Sequence, residues 1–383
     1  MGSMKAIVLG CGNIGSVAAE DLAEHVGSVE IAVADMDRNK AKALATKINK
    51  KNVNWIELDV SNNAELCKVL KEFDVAMGFL PGRIGFNVAE TCVHAETDLV
   101  DVSFMGENPL LLHEQALEAN VTIVPDCGLA PGISNVLIGH AVSELDSVQA
   151  VHIMVGGLPE KPVEPLGYTI TWSPESLIDE YTRTVTLIHN RKTKKVEPLT
   201  GLEKIEFPGV GELEAFFTDG LRTLPHTIKG VEEMWEKTLR YTGHAEKIRL
   251  LKALGLFDET RISVDKLQVS PRKVVTRLIA QRLSRPEIGD IVALSVEVTG
   301  LRQGKKKTYR FSLLDKHDKK RKITAMARTT AFPASIVARM LLEHAVREKG
   351  VVPPEKIGMD GRLFDRFEKE LKDRNVKIEQ TLV

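Results

Sequence analysis

The chain predicts an α/β fold: an N-terminal doubly wound parallel sheet, followed by an α+β domain whose sheet is largely antiparallel. Three observations carry that expectation. Short apolar runs alternate with helical segments from Lys5 to Val124. A glycine-rich turn, Gly10-x-Gly12-x-x-Gly15, joins the first run to the first helical segment. Beyond Val124 the apolar runs lengthen and alternate in polarity.

Strand-like runs are expected near 6–9, 30–34, 53–56, 75–79, 99–102 and 122–124. Helical stretches separate them, because each parallel crossover needs a helix to carry the chain back. Asp37 or Asn39 can open the segment that runs to Ile48, and Asn108-Pro109 pairs an N-cap residue with proline at the first helical position. This is the grammar of a Rossmann-type sheet. The turn cluster "DCGLAPGIS" then leads into an apolar helix over 133–145. Alternating runs at 148–155, 212–217 and 291–299 read as antiparallel strands, the last pairing with 308–314 across a lysine-rich hairpin. Helices near 334–349 and 362–375 end the chain. The expected domains are therefore 4–128 (dinucleotide binding), 129–328 (substrate binding and dimerisation) and 329–383 (helices that either close back on the first domain or extend the second).

Composition narrows the partners. Lys plus Arg (52) and Asp plus Glu (53) leave a net charge of -1, so no overall field selects nucleic acid or an anionic membrane. The basic runs 305–307 and 319–322 lack interleaved aromatic residues for base stacking and read as solvated hairpin tips. Cys11, Cys67, Cys92 and Cys127 are scattered without CxxC pairing, which points to reduced thiols, no structural zinc and no other metal site. No run of about 18 apolar residues or signal-peptide pattern occurs, and a cytoplasmic protein is expected. Met1-Gly2-Ser3 ahead of Met4 reads as a cloning remnant.

A lone glycine turn is weak evidence, but this one has its context. A strand precedes it, a helix starts near Asn13, and Asp35 stands twenty positions past Gly15 at the end of the second strand. Gly10 permits the turn, Gly12 lets the backbone approach a pyrophosphate, and Gly15 lets helix and strand pack closely. Backbone N–H groups of Asn13 and Ile14 begin the helix whose positive end receives phosphate. Asp35 suits the ribose hydroxyls of NAD and repels the 2′-phosphate of NADP, although Arg38 lies three residues on. FAD and S-adenosylmethionine domains use similar loops. Leu80, Pro81, Ser103 and Phe104, just past the fourth and fifth strands, should border the nicotinamide.

Longer motifs carry a resemblance. "LGCGNIG", "FLPGRIGF", "DLVDVSFMGENP", "VPDCGLAPGISN", "VGGLPEKPVEPLGYTITWSPESLIDEYTR", "FFTDGLRTL" and "KTLRYTGHAEKIRLLKALGLF" resemble the saccharopine dehydrogenase-like family, most closely its lysine 6-dehydrogenase type. The likeness runs from Lys5 to about Phe257, with a looser one in "RTTAFPASIVARMLL" near the end, so that nearly the whole chain is covered and 258–322 matches least. It implies a nicotinamide-dependent dehydrogenase with an amino acid substrate, working as a homodimer. It also implies substrate contacts at Ser103 and Phe104, a carboxylate-binding Arg222, and a further substrate-binding run at Thr238, Leu239 and Arg240. Phe104 stands where the family has Tyr. Saccharopine-processing members read Gly-Leu-Asp-Pro-Gly where this chain has Ala130, which favours lysine over saccharopine.

Arginine's planar fork suits a substrate carboxylate, and the competing reading of Arg222 and Arg240 is a structural ion pair. His244, near a helix start, is the candidate for proton transfer, set against a packing or capping role. Cys127 reads as a buried thiol, and Tyr168 and Trp172 as pocket wall or core. The expected reaction is NAD-dependent oxidation of L-lysine at its ε-carbon. Its competitors are saccharopine or carboxynorspermidine oxidoreduction and, in another class, a non-catalytic nucleotide-sensing protein.

Overall fold

The computed structural model describes residues 4–383, and the three residues read as a cloning remnant lie outside the described residues. The chain divides into two compact units, each made of separate segments. Met1–Asp146, Arg222–Thr227 and Ala327–Lys377 form the first; Ser147–Leu221, Ile228–Met326 and Ile378–Val383 form the second.

In the first unit, β1 (Lys5–Leu9), β2 (Glu30–Asp35), β3 (Val53–Glu57), β4 (Val75–Gly78), β5 (Asp98–Asp101) and β6 (Thr122–Val124) lie parallel in one sheet. The strand Gly350–Val351 adds a seventh beside β6, giving the order Gly350–Val351, β6, β5, β4, β1, β2, β3. Order reverses between β1 and β4, and the carboxyl ends of those strands mark the switch point where ligands of such sheets bind. Both faces are covered by helices, so β1 reads as the unbroken apolar run Ala6-Ile7-Val8-Leu9, every residue 0% exposed. Asp37 caps the helix Arg38–Ile48 by accepting from the Asn39 and Lys40 N–H groups.

Two boundaries differ from the sequence expectation. The helix Ile133–Ser143 belongs to the first unit, which continues to Asp146, eighteen residues past the expected border at 128. Its Ile133, Val136, Leu137 and Ile138 are buried, and it packs so closely on the helix Pro354–Met359 that a Cβ on Gly139 would overlap the Glu355 carbonyl. The late helix spans Ala325–Leu342 with Pro333 inside it. Proline in a helix interior forfeits a hydrogen bond, so local pattern places the start after it. The C-terminal helix Gly361–Asp373 also lies in this unit, where Arg374 donates to both oxygens of Asp21 at 2.8 and 3.0 Å.

The second unit is built on a nine-stranded mixed sheet. Its main path runs Glu203–Phe207, Gly211–Phe217, Glu233–Arg240, Ser147–Pro159, Asp290–Arg302, Lys305–Lys316 and Glu379–Leu382. Only the pairing of Glu233–Arg240 with Ser147–Pro159 is parallel among these. The expected lysine-rich hairpin is present, turning at Gln303-Gly304. Among the described residues no helix is long and apolar enough to cross a membrane.

Replacing Gly139 by Leu should cost roughly 1–3 kcal/mol through overpacking. Thermal unfolding of the purified variant should show a lowered midpoint; an unchanged one would mean that the helix contact gives way freely.

Candidate active site

The glycine turn sits at the carboxyl end of β1. Gly10 adopts φ +99°, which only glycine holds without strain, and donates its N–H to the Ala34 carbonyl at 2.8 Å. A Cβ on Gly15 would overlap the Gly10 carbonyl, so helix and turn can meet only without it. Gly12 is different, because a Cβ there meets nothing within 4 Å. That open volume lies at the start of the helix Asn13–His25, whose first turn has no side-chain cap. Exposed backbone donors beside open space suit a pyrophosphate. Asn13 is exposed and Ile14 half-buried there.

Asp35, at the end of β2, is tied to the same turn. It accepts from the Cys11 N–H and the Asp37 N–H, each at 2.9 Å. The Arg38 guanidinium lies over the Trp55 ring, 5.3 Å from its centroid. Among these residues the carboxylate, and not the guanidinium, is fixed against the glycine turn. The Cys11 thiol is pushed up to about 12 by burial, then by Asp35.

The carboxyl ends of β4, β5 and β6 form the second part. Leu80 and Pro81 are half-buried past β4, and Pro81 leads into the helix Gly82–His94. A Cβ on Gly82 would overlap the Phe104 carbonyl, and one on Gly85 would overlap the Ser103 hydroxyl. The helix therefore presses directly on the Ser103-Phe104 segment. Ser103 is 3% exposed, and both its N–H (2.8 Å) and its hydroxyl donate to Asp101 Oδ1.

Arg222 joins this cluster. Its Nε donates to both Asp126 carboxylate oxygens at 3.2 Å, and its guanidinium lies 5.5 Å from the centroid of the Phe104 ring. Nη2 reaches the Glu107 carbonyl at 3.5 Å. Asp126 and Arg222 hold φ of +54° and +52°, an uncommon conformation for arginine that costs of order 1 kcal/mol or more. Cys127, which follows, is 1% exposed, and burial raises its pKa, which leaves an inert thiol.

Asp101 and Asp126 were not singled out by sequence. An aspartate at a strand end is a common turn residue, and only the fold shows two of them buried side by side. Asp101 is 0% exposed, and its Oδ2 has no hydrogen-bond partner. Gly78 makes room for it, since a Cβ there would overlap Oδ2. Burial pushes the Asp101 carboxyl up to about 7; the Ser103 hydrogen bonds and Arg222 oppose this, while Asp126 adds to it.

The remaining expected site residues belong to the second unit. Thr238 shares a 2.9 Å hydrogen bond with Thr218, and Leu239 is core. Arg240 donates Nη2 to both Glu180 oxygens (2.9 and 3.2 Å), Nη1 to the Leu239 carbonyl and Nε to the Tyr181 hydroxyl. It lies 4.7 Å from the Tyr168 ring centroid, and Tyr168 accepts from Trp172 Nε1. Burial works against its charge, but Glu180 and the two tyrosines raise its pKa above the ordinary value.

His244 requires a correction. It is 1% exposed; Nδ1 donates to the Leu166 carbonyl at 2.8 Å and Nε2 meets the Tyr181 hydroxyl at 2.9 Å. Burial, then Arg240, lowers its pKa to about 3. It stays neutral near pH 7 with both ring nitrogens engaged, and so takes the packing role. The sequence signal misled because a histidine beside an arginine at a helix start looks the same in a buried network as in a cleft.

Two family models match the chain: "Saccharopine dehydrogenase NADP binding domain" over residues 6–124 and "Saccharopine dehydrogenase C-terminal domain" over residues 128–376. An Arabidopsis thaliana alpha-aminoadipic semialdehyde synthase is 29% identical over 252 residues, 61% of this chain and 23% of that protein. The Saccharomyces cerevisiae saccharopine dehydrogenase [NADP(+), L-glutamate-forming] is 27% identical over 267 residues, 66% of this chain and 58% of that protein. The chain thus matches less than two thirds of the length of these relatives. An apo structure of the yeast enzyme covers 100% of both chains with a TM-score of 0.80 at 19% identity, which shows a shared fold.

Gly12→Val should weaken dinucleotide affinity by roughly tenfold to a hundredfold, the worth of charged hydrogen bonds to the turn. Calorimetric titration should show that loss while the ligand-free melting temperature stays put. Asp101 sets a pH trend. Its folded pKa lies above the ordinary carboxylate value, so its destabilising contribution is absent below about pH 4, grows as pH rises, and levels off above about 7. Asp101→Asn should therefore gain in melting temperature relative to the parent between pH 4 and 8; a constant difference would refute the buried charge.

Proposed function

The chain belongs to the saccharopine dehydrogenase family, and on that premise we propose that it is an NAD-dependent amino acid dehydrogenase that oxidises L-lysine at the ε-carbon. The observation that carries this reading is Arg222 fixed by Asp126 beside Ser103-Phe104, at the same sheet edge as the glycine turn. Asp126 holds the guanidinium through Nε, and in this reading the substrate carboxylate is drawn to the positive charge of Arg222. A charged hydrogen bond between the two contributes roughly 1.5–3 kcal/mol.

The residues divide the work. Gly10, Gly12 and Gly15 admit the pyrophosphate to the helix start, and Asp35 receives the adenosine ribose hydroxyls, which supports NAD over NADP. When bound, the nicotinamide dinucleotide supplies the hydride acceptor. Phe104, Leu80 and Pro81 give that edge apolar surface and restrict water. Free lysine has an amine pKa of about 10.4, and a protonated amine has no lone pair to assist hydride departure, so the site must remove a proton first. Hydrolysis of the resulting imine gives 2-aminoadipate 6-semialdehyde and ammonia. Arg240 supports the fold of the second unit through Glu180 in this reading. A cytoplasmic homodimer is the assembly we propose.

Saccharopine oxidoreduction is the second reading, favoured by the names of the matched relatives and by the NADP in the family description. Ala130 weighs against it, because saccharopine-processing members resembling this chain carry aspartate at that position.

Steady-state assays of lysine, saccharopine and carboxynorspermidine, each with NAD and NADP, test the assignment. Lysine with NAD should give the highest kcat/KM, and turnover confined to secondary amines would overturn it. Arg222→Ala should cut kcat/KM for lysine by roughly tenfold to a hundredfold more than it cuts that for 1,5-diaminopentane, which lacks the carboxylate.

A further inference from the structure

His244 is buried with both ring nitrogens engaged, and the first unit holds another candidate for the proton acceptor that amine oxidation requires. We propose that Asp101, acting through the Ser103 hydroxyl, takes the proton that the substrate amine releases before hydride leaves the carbon. The inference rests on the amine-dehydrogenase reading above.

Four observations carry it. Ser103 stands just past the carboxyl end of β5, where sheets of this kind bring substrate to cofactor. Its hydroxyl donates to Asp101 Oδ1, so the oxygen lone pairs are left to accept a hydrogen from another donor. A donor-bearing amine matches that polarity. Asp101 Oδ2 is buried without a partner, and Gly78 and Gly85 leave the space in which carboxyl and hydroxyl meet. An unpartnered buried carboxylate oxygen is costly, and a proton on the group relieves the cost.

The charged and titratable groups around Asp101 are Asp126 and Cys127 beyond β6, Arg222, and Cys92 on the helix Gly82–His94. Both thiols remain neutral because burial raises their pKa values. Asp126 and Arg222 form an ion pair whose charges largely offset each other. Asp101 is thus the group of this cluster that burial pushes up to about 7.

The step balances. The substrate ammonium loses an N–H proton to Ser103 Oγ while the Ser103 proton passes to Asp101, leaving the amine neutral with its lone pair. The hydride then departs from the carbon with its electron pair to a nicotinamide-class oxidant, and the nitrogen lone pair closes the C=N bond. The proton then leaves Asp101 through the same hydroxyl to solvent water before the next turnover. Asp101 is a positioning residue here, since Ser103 alone touches the amine.

The test compares the parent protein with Asp101→Asn and Ser103→Ala. Parent kcat should rise with pH through an apparent pKa near 7. Asp101→Asn should lose roughly a hundredfold in kcat with KM little changed, and the limb should vanish. Ser103→Ala should lose a similar factor, and the double variant should lose no more than either alone. Equal activity of Asp101→Asn with the limb intact, or losses that multiply, overturns the proposal. A second readout needs no turnover. Infrared difference spectra should show a protonated carboxyl band that titrates near pH 7, disappears in Asp101→Asn and moves to higher pH in Ser103→Ala. Absence of that band overturns the inference. Inactivity of the parent toward every amine, with the band present, overturns the assigned reaction instead.

Discussion

The ion pair between Arg222 and Asp126 is the constraint on which the candidate site depends. It is nearly closed to solvent, with side-chain exposures of 6% and 0%. Removing one member of such a pair leaves a buried charge uncompensated, at a cost of roughly 3–5 kcal/mol. The pair fixes one end of the short segment Arg222–Thr227, and the hydroxyl of Thr227 donates to Glu355 at 2.7 Å at the other. Glu355 in turn accepts from Asn135 at 3.0 Å, on the helix that opens after "APG". Six residues from the middle of the chain are thereby held in the first unit by two buried carboxylates. The left-handed backbone at Asp126 and Arg222 is tolerated because these contacts overdetermine it.

Much of the first sheet was legible, for a physical reason. Parallel strands covered on both faces must be continuous apolar runs, and helices between them must carry one apolar stripe; those two patterns recur through Val124. The glycine turn was legible because Gly10 and Gly15 each answer a steric demand, while Gly12 leaves open space at the helix start. The hairpin at Gln303-Gly304 was legible from its alternation. The border between units was not, because membership depends on contacts between helices far apart in sequence, such as Gly139 with Glu355.

The site was partly legible. Ser103, Phe104 and Arg222 are brought together, and their motifs had set them side by side as candidates. Arg240 and His244 sit in a buried network with Glu180, Tyr181 and Tyr168, where charge is balanced internally and the histidine is desolvated. Side-chain type in a motif does not distinguish these outcomes, since both need arginine and histidine close together. Asp101 escaped notice for the converse reason. Its importance comes from depth, from the unpartnered oxygen and from the glycine opposite, none of which has a one-dimensional signature.

The strand Gly350–Val351 pairs in parallel with β6, and the Thr122 hydroxyl donates to the Glu348 carbonyl across 226 positions. During synthesis, β6 therefore emerges long before the residues that cover its outer side. Until they arrive, the nucleotide-binding layer carries a raw hydrogen-bonding flank of the sort that recruits stray chains. Completing it is a distant loop closure, which places the assembly of this layer late and makes it slow relative to the local helices. A fragment ending at Asp146 would keep the phosphate turn and still lack its own border strand.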